Sequence, residues 1–206
     1  MDKVLIIDDD APVRAALGLF LKTSGFTTQS YSSGDVLLEA RDWKDAQCMI
    51  LDIRMPGRSG MEVLAHPKVA ESGIPVIIMT GHGDVPLAVQ AMKLGAFDFV
   101  EKPFAETALA DRVRTAIARG RNQAGGLTPE QAGQRIARLT PREREVFLLV
   151  AAGKLNKVIA GDLNLSSRTV EIHRARVMEK TQARSLSELV RIAVALESAE
   201  SAVTPV

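Results

Sequence analysis

The 206-residue sequence has few of the features that mark secreted or membrane-spanning proteins. Its single cysteine, Cys48, excludes a disulfide bond within the chain, which agrees with a reducing compartment. No apolar run reaches the roughly 18 residues that a membrane span requires. The first ten residues carry only a short apolar stretch before three acids, which argues against a secretory signal. We therefore expect a cytoplasmic protein with no membrane partner.

The chain also has little net charge, but its charges are unevenly distributed. Residues 1–118 hold 12 Lys and Arg against 16 Asp and Glu, a formal charge of −4. Residues 119–206 hold 14 against 9, a formal charge of +5. Such asymmetry indicates different partners for the two parts, although chance scatter among solvated charges explains it equally well.

The first 118 residues alternate short apolar runs with stretches of helical periodicity. Three of the five apolar runs are almost continuous, which is typical of strands buried on both faces of a sheet. The predicted strands are Val4–Ile7, Thr27–Tyr31, Cys48–Leu51, Pro75–Met79 and Asp98–Val100. Strands that alternate with helices predict an α/β fold with a doubly wound, parallel sheet of five βα units. Pro67 is expected to cut the third helix short, because proline lacks the N–H and clashes with the preceding turn.

A polar, glycine-containing stretch at 119–127 separates this α/β part from an all-helical part. Two helix starts follow, at Thr128 and Thr140, and each combines threonine, proline and the Gln or Glu of a capping box. The first of these helices belongs either to the linker or to the helical domain. We predict four regions, namely an α/β domain at 1–118, a partly helical linker at 119–137, a helical domain at 138–198 and a disordered tail at 199–206.

Acidic and other polar residues follow four of the predicted strands. They are Asp8, Asp9, Asp10, Asp52, Thr80 and Lys102. In open parallel sheets, ligands bind at the edge formed by the carboxyl ends of the strands. Clustered carboxylates repel one another unless a cation or proton intervenes, and oxygen ligands at this density favour Mg²⁺. Each residue alone is explained as a turn or cap residue, but together they predict a phosphoryl-transfer site. Asp52 is the candidate nucleophile, and Lys102 and Thr80 bind phosphoryl oxygens.

Two short helices in the second part form a candidate helix-turn-helix, with a turn at 164–166. A plain helical bundle is the commoner alternative. On a helical wheel of about 100° per residue, Val170, His173 and Val177 fall on the packed side of the second helix. The outward side carries Arg168, Glu171, Ile172, Ala175 and Arg176.

That outward side suits the major groove of double-stranded DNA. An arginine is expected to pair with guanine, and Ile172 or Ala175 to touch a thymine methyl group. Lys157 and Arg174 flank this side and are predicted to bind phosphates. Ser167 and Thr169, at the start of the helix, are expected to do the same with the help of the helix dipole.

The segments IIDDD, CMILDIRMPGRSGMEVL and IIMTGHGDVPLAVQAMKLGAFDFVEKPF resemble the CheY-like receiver domain of two-component response regulators across residues 1–118. The stretch MTGHGDVPLAVQAMKLGA resembles the FixJ branch. The resemblance implies that Asp52 accepts phosphate from a sensor histidine kinase. It also implies that Asp9, Asp52 and the backbone carbonyl of Arg54 bind Mg²⁺ directly, while Asp8 acts largely through water.

The receiver resemblance also gives a role to Phe99. This residue, three residues before Lys102, occupies the position of the receiver's aromatic switch.

The second part of the chain resembles another family. The segments TPREREV, NKVIAGDL, SSRTVEIHRARVMEK and SLSELVRIA resemble the LuxR-type helix-turn-helix of the NarL/FixJ class. This implies a four-helix domain whose third helix reads DNA and whose fourth offers a dimer surface. Gly161, inside the first helix of the helix-turn-helix, replaces the bulkier residue usual at this position of the family. We interpret it as a point of close helix approach. A glycine inside a helix destabilises that helix by about 1 kcal/mol relative to alanine.

The expected function is that of a transcription regulator. Phosphorylation of Asp52 would promote homodimerisation, sequence-specific DNA binding and recruitment of RNA polymerase. We expect no enzyme activity beyond self-phosphorylation and slow autodephosphorylation.

Three other functions fit part of the pattern. A phosphorelay intermediate would use the helical domain to bind a protein, but the basic outward helix face argues against it. A receiver that dimerises without phosphate is opposed by the complete set of pocket residues. A small phosphatase with an aspartyl intermediate would need a second acid or base, and none is placed to act.

Overall fold

The computed structural model describes residues 1–81, 85–121 and 127–203. The chain divides into two compact units, Met1–Asp84 with Leu94–Gly125, and Val85–Lys93 with Gly126–Val206. Within the described ranges, no helix combines the length and the apolar composition needed to cross a membrane.

The first unit is built on a five-stranded parallel sheet, as predicted. The strands are β1 (Lys3–Ile7), β2 (Thr27–Tyr31), β3 (Cys48–Asp52), β4 (Val76–Thr80) and β5 (Asp98–Glu101), in the order β2-β1-β3-β4-β5. Every residue of β3 and β4 is buried, which explains why their sequences are apolar without alternation. The order reverses beside β1, and the carboxyl ends of β1 and β3 open at that point.

Helices alternate with these strands along the chain. They are α1 (Ala11–Thr23), α2 (Gly34–Glu39), α3 (Gly60–Leu64), α4 (Pro67–Ala70), α5 (Val85–Lys93) and α6 (Glu106–Arg121). The prediction for Pro67 is confirmed, because α3 ends at Leu64 and the separate α4 begins at the proline. The side chain of His66 accepts a hydrogen bond from the Lys68 N–H and so caps the new helix.

Apolar side chains of α1 and α6 cover one face of the sheet. Leu17 and Leu21 of α1 and Leu109 and Val113 of α6 pack with the sheet residue Ile50 in one buried cluster. Burying a side chain of this size contributes about 1.5–3 kcal/mol relative to leaving it exposed. The resulting core holds the carboxyl ends of the strands in fixed relative positions.

The helical part of the second unit contains α7 (Pro129–Ile136), α8 (Pro141–Ala151), α9 (Asn156–Leu163), α10 (Ser167–Thr181) and α11 (Leu186–Val203). Both predicted capping boxes are present, since Thr128 and Thr140 accept hydrogen bonds from the N–H groups of Gln131 and Glu143. Asn164 ends α9 in the left-handed conformation, with φ of 52°. Ser166 caps α10 by accepting the Thr169 N–H. Capping and the left-handed residue together make the tight turn between α9 and α10.

The helix α7 is part of the helical domain rather than a free linker segment. Its residues Ala132 and Ile136 are buried in the same core as Val146 and Phe147 of α8 and Val170 of α10. Of the predicted linker, residues 122–126 lie outside the described part of the chain.

The tail expected to be disordered from residue 199 is helical as far as Val203, which corrects the prediction for 199–203. The segment ESAESA that precedes Val203 contains no glycine or proline to end the helix. Residues 204–206 of the predicted tail lie outside the described residues.

Candidate functional site

The acidic pocket lies at the carboxyl edge of the sheet. Asp8 follows β1, Asp52 ends β3, and Lys102 follows β5. The Lys102 Nζ lies 2.8 Å from Asp8 Oδ2 and 3.3 Å from Asp52 Oδ1. Both carboxylates are buried, with 1% of Asp8 and 8% of Asp52 exposed. The sheet therefore brings together two acids and one ammonium that are as far as 94 residues apart in sequence.

A third carboxylate completes the pocket. One oxygen from each of Asp8, Asp9 and Asp52 lies within 4.8 Å of the others, and Asp9 is exposed to solvent. Three ionised carboxylates and the Lys102 ammonium leave a local charge of about −2, which a divalent cation balances. Carboxylate oxygens of this number and spacing suit Mg²⁺, which binds one or two carboxylates and keeps several waters. Arg54, whose carbonyl is the other predicted ligand, is an exposed residue two positions after Asp52.

Burial and charge oppose one another in this pocket. Burial raises the pKa of Asp52, and the nearby Lys102 ammonium pulls it back only in part. Burial also acts to lower the pKa of Lys102, but its hydrogen bond to Asp8 and the charge of Asp52 outweigh burial and raise that pKa. Lys102 therefore stays cationic, and burial still disfavours the charged form of Asp52 despite the contact with Lys102. Perturbed carboxylates of this kind concentrate at functional sites.

Hydrogen bonds orient the two buried carboxylates. Asp8 Oδ1 accepts the Asp10 N–H at 2.8 Å, and Asp52 Oδ1 accepts the Ile53 N–H at 3.0 Å. Asp10, the last of the three consecutive acids, occupies the N-cap position of α1, which agrees with its interpretation as a residue of the helix start. The remaining oxygen of Asp52 is the natural candidate to act as a nucleophile.

Thr80 and Phe99 flank the pocket on β4 and β5. Thr80 is fully buried at the end of β4, and its hydroxyl donates to the Gly81 carbonyl at 3.3 Å. Phe99 is half-buried on β5, where it pairs in register with Ile78. Thr80 thus lies at the same edge of the sheet as the acids. Phe99 lies two residues before the end of β5, level with Ile78 rather than with Thr80.

Gly60, the first residue of α3, is a pocket residue that the sequence analysis missed. A Cβ atom at this position would lie 2.1 Å from the backbone oxygen of Asp52 and 2.9 Å from Ile53 Cα. The Gly60 N–H also donates to the Ile53 carbonyl at 3.0 Å. Only glycine lets α3 begin this close to the candidate nucleophile, although the segment Ser59-Gly60 reads simply as a helix start in sequence.

The outward face of α10 agrees with the helical wheel. Val170 and Val177 are buried, and His173 is half-buried with an Nδ1 that has no hydrogen-bond partner among the described residues. The residues of the opposite side are all exposed, namely Arg168, Glu171, Ile172, Ala175 and Arg176. Two guanidinium groups and an aliphatic side chain are therefore available to a ligand on one face of this helix.

The predicted phosphate ligands divide into two groups. Lys157 and Ser167 are exposed, and Thr169 is half-buried beside the capping Ser166. Arg174 differs, because it is half-buried and its Nη1 donates to Asn156 Oδ1 at 2.6 Å. Burial lowers the pKa of Arg174.

An ion pair that the sequence did not predict joins α8 to α10. Lys180 Nζ lies 2.6 Å and 2.9 Å from the two carboxylate oxygens of Glu143, and only 2% of Glu143 is exposed. The hydrogen bond from Lys180 is the main cause that lowers the pKa of Glu143 to about 2. Because the two residues are 37 positions apart, no local pattern reveals the pair.

The interpretation of Gly161 as a point of close helix approach is wrong. A Cβ atom built on this residue of α9 meets no heavy atom within 4 Å. The residue is exposed, so it costs helix stability without giving closer packing in return.

Both halves of the chain match known families. Residues 4–114 match the response regulator receiver domain, and residues 137–193 match the bacterial regulatory proteins of the luxR family. Among curated relatives, the transcriptional regulatory protein FixJ of Bradyrhizobium diazoefficiens is 44% identical over 192 residues, which cover 93% of this chain and 94% of that protein. The FixJ protein of Azorhizobium caulinodans is 46% identical, with 93% and 91% covered.

Solved structures agree with these matches. Full-length FixJ from B. japonicum is 42% identical, covers 96% of this chain and 98% of its own, and superimposes with a TM-score of 0.53. The response regulator StyR is 38% identical, covers 93% and 98%, and has a TM-score of 0.54. The chain therefore belongs to the two-component response regulators, as a FixJ-like transcription regulator that joins a receiver domain to a LuxR-type DNA-binding domain.

Proposed function

We propose that the receiver accepts a phosphoryl group on Asp52 from a sensor histidine kinase, and that this controls how the C-terminal domain binds DNA. The proposed receiver spans residues 1–118 and the proposed DNA-binding domain spans 138–198, with the preceding α7 packed into the core of the latter. The observation that carries the proposal is the contact of Lys102 Nζ with both Asp8 and Asp52, beside a third carboxylate. A half-buried ammonium between two buried acids is an arrangement suited to receive a group that brings negative charge.

In the proposed reaction, a carboxylate oxygen of Asp52 attacks phosphorus. The P–N bond of a phosphohistidine breaks, the imidazole leaves with the electron pair and takes up a proton, and an acyl phosphate forms. Asp8, Asp9, Asp52 and the carbonyl of Arg54 would hold Mg²⁺, with Asp8 acting largely through water. When bound, Mg²⁺ neutralises charge on the phosphoryl oxygens.

Thr80 and Lys102 would respond to the new group. Lys102 exchanges its contact with Asp52 for an ion pair with a phosphoryl oxygen, and the Thr80 hydroxyl turns from the Gly81 carbonyl to donate to another. Phe99, half-buried on the adjacent strand, would turn inward in the space that Thr80 vacates. Driving a two-state switch from 1:99 to 99:1 takes about 5.5 kcal/mol, which a few charge-assisted hydrogen bonds supply.

The output is binding to double-stranded DNA through α10. The exposed Arg168, Glu171, Ile172, Ala175 and Arg176 would face the base edges. The residues proposed at phosphates are Lys157, Ser167 and Thr169, while Arg174, which the sequence also suggested for this role, donates to Asn156 instead. A homodimer of the phosphorylated chain would bind paired half-sites and recruit RNA polymerase.

Intact-mass spectrometry tests the acceptor. The full chain is incubated with acetyl phosphate and Mg²⁺, and the Asp52→Asn and Asp10→Asn variants are treated in parallel. Asp10→Asn is the matched control, because Asp10 is an exposed acid two residues from Asp8, and its side chain forms no cap hydrogen bond at the start of α1. We expect the mass of one phosphoryl group on the wild type and on Asp10→Asn, and none on Asp52→Asn.

Chelation of Mg²⁺ should abolish that added mass. A phosphoryl group on Asp52→Asn, or equal labelling with and without Mg²⁺, would contradict the proposed site. Failure of the wild type to be labelled by acetyl phosphate or by any histidine kinase that shares its source would reject the phosphoacceptor function.

A further inference from the structure

Both ends of the helix α9 are held by arginine side chains from neighbouring helices. At its C-terminus, Arg142 of α8 donates from Nη2 to the Leu163 carbonyl. At its N-terminus, Arg174 of α10 donates from Nη1 to the Asn156 side chain. A guanidinium is planar and always charged, so each bond constrains direction as well as distance.

The N-terminal bond is the one that joins the two helices of the helix-turn-helix to each other. Asn156 is the first residue of α9, and the preceding cap residue, Leu155, forms no side-chain cap bond. Arg174 lies at the middle of α10, 18 residues away, and is half-buried on the flank of the packed face. The bond therefore links two points that are distant from the turn, where a small change in helix angle produces the largest displacement.

Arg174 contrasts with the exposed cations around it. Lys157 is the next residue after Asn156, and Arg176 lies two residues after Arg174, and both are exposed. Arg174 is half-buried and engaged with a neutral amide oxygen. A phosphate ligand is most effective when its charged group is solvent-facing in the free protein, whereas a buried hydrogen-bonded arginine fixes structure.

We propose that Arg174 is a positioning residue for DNA recognition, which acts through Asn156 to set the angle between α9 and α10. This rests on the proposed reading of DNA by α10 and replaces the assignment of Arg174 as a phosphate ligand. The exposed residues Arg168, Ile172 and Arg176 then reach base edges only while the Asn156–Arg174 bond holds α10 at that angle.

The decisive variant is Asn156→Ala, which removes the acceptor without changing any charge. Affinities are measured by fluorescence anisotropy for the full chain treated with acetyl phosphate and Mg²⁺. The probes are a duplex selected from a random-sequence library by the wild-type chain and an unselected duplex of the same length. Each is titrated over a series of salt concentrations, and thermal unfolding of each variant is recorded.

A positioning role predicts a loss that is confined to the selected duplex. Asn156→Ala should bind it about tenfold more weakly, the size expected when a charged hydrogen bond is lost. Binding to the unselected duplex and the slope of log affinity against log salt should stay unchanged. Arg174→Lys keeps the charge but not the planar group, so it should lose the same selectivity, and the double variant should be no worse than either single one.

Lys157→Ala is the matched control for a phosphate contact on the adjacent residue. It should weaken binding to both duplexes and reduce the salt slope by about 1. If Asn156→Ala binds like the wild type while Arg174→Lys keeps full affinity, Arg174 acts through its charge and the inference is overturned. If the wild-type chain selects no duplex at all, the proposed DNA reading fails together with the inference. Selection by the wild type with an unaffected Asn156→Ala rejects the inference alone.

Discussion

At the scale of single residues, the pocket depends on side chains that the sheet brings together from distant positions. Lys102 contacts both Asp8 and Asp52, although it lies 94 and 50 residues from them in sequence. The pKa values of Asp52 and Lys102 are both raised, so the lysine stays charged while burial disfavours the charged form of Asp52 even beside it. The proposed phosphoryl group would contact these same residues, Asp52 by the new bond and Lys102 by an ion pair.

Gly60 offers a direct test of how tightly the pocket is built. Replacing it with alanine places a Cβ atom 2.1 Å from the Asp52 backbone oxygen, so the start of α3 or the end of β3 must move. We expect the free energy of unfolding to fall by about 1–3 kcal/mol, and labelling by acetyl phosphate to slow. Urea denaturation measures the first effect and intact mass the second.

Gly133→Ala is the matched control, since a Cβ atom at Gly133 meets nothing within 4 Å. An unfolding free energy for Gly60→Ala equal to that of the wild type would show that α3 moves away at no cost. Gly60 would then not be required to hold Asp52 in position.

At the scale of elements, the sequence predicts most of what is local. Each strand bound lies within one residue of its predicted position, because buried parallel strands are continuous apolar runs. Helix starts at Thr128 and Thr140 and the break at Pro67 follow from capping and proline chemistry. The carboxyl-edge rule also predicts that the acids, Thr80 and Lys102 meet, without giving any distance.

What the sequence does not predict are contacts between elements. Neither the Glu143–Lys180 pair nor the Asn156–Arg174 bond has a local signature, since each joins residues on different helices. The steric need for Gly60 depends on the approach of α3 to β3. The helical wheel separates buried from exposed positions on α10, but it does not show that Arg174 is engaged by another helix.

Gly161 in α9 yields a prediction at this scale. It is exposed, it lies inside the helix, and a Cβ atom there has open space. Gly161→Ala should raise the free energy of unfolding of the DNA-binding domain by about 1 kcal/mol, because alanine favours the helix and restricts the unfolded chain. Urea denaturation followed by circular dichroism measures the change. A lower free energy of unfolding for Gly161→Ala would contradict the open space found around this residue.

The ion pair between α8 and α10 makes stability depend on pH in the acid range. The pKa of Glu143 is lowered to about 2 by its bond to Lys180, while an unfolded glutamate titrates near its ordinary value of about 4.3. A depressed pKa in the folded state stabilises the fold above the unfolded pKa, and this contribution is lost as pH falls from about 4.5 towards 2.

Glu143→Gln should therefore unfold more easily than the wild type at pH 7, and the difference should shrink below pH 4.5. Urea denaturation from pH 7 down to the lowest pH at which the chain stays folded gives the comparison. Glu145→Gln, an exposed glutamate on the same helix, is the control and should show a small difference throughout. A gap between wild type and Glu143→Gln that is constant with pH would contradict the assigned pKa.

At the scale of the whole chain, the two parts carry net charges of opposite sign and have different roles. The first 118 residues have a formal charge of −4 and hold the acidic pocket, while the remainder has a charge of +5 and holds the exposed arginines of α10. A basic domain suits a polyanion, and salt should weaken its binding steeply as counterions are released. Family, fold and charge thus support one chain in which a phosphoryl group on the first part governs DNA binding by the second.

The measurement that tests this coupling most directly combines DNA affinity with solution mass. Wild type and Asp52→Asn are each measured with and without acetyl phosphate and Mg²⁺, by anisotropy on the selected duplex and by light scattering. Only the treated wild type is expected to double in mass and to gain affinity. Equal affinity and mass for the wild type and Asp52→Asn under both conditions would contradict this expectation, and would mean that the acidic pocket does not control the DNA-binding domain.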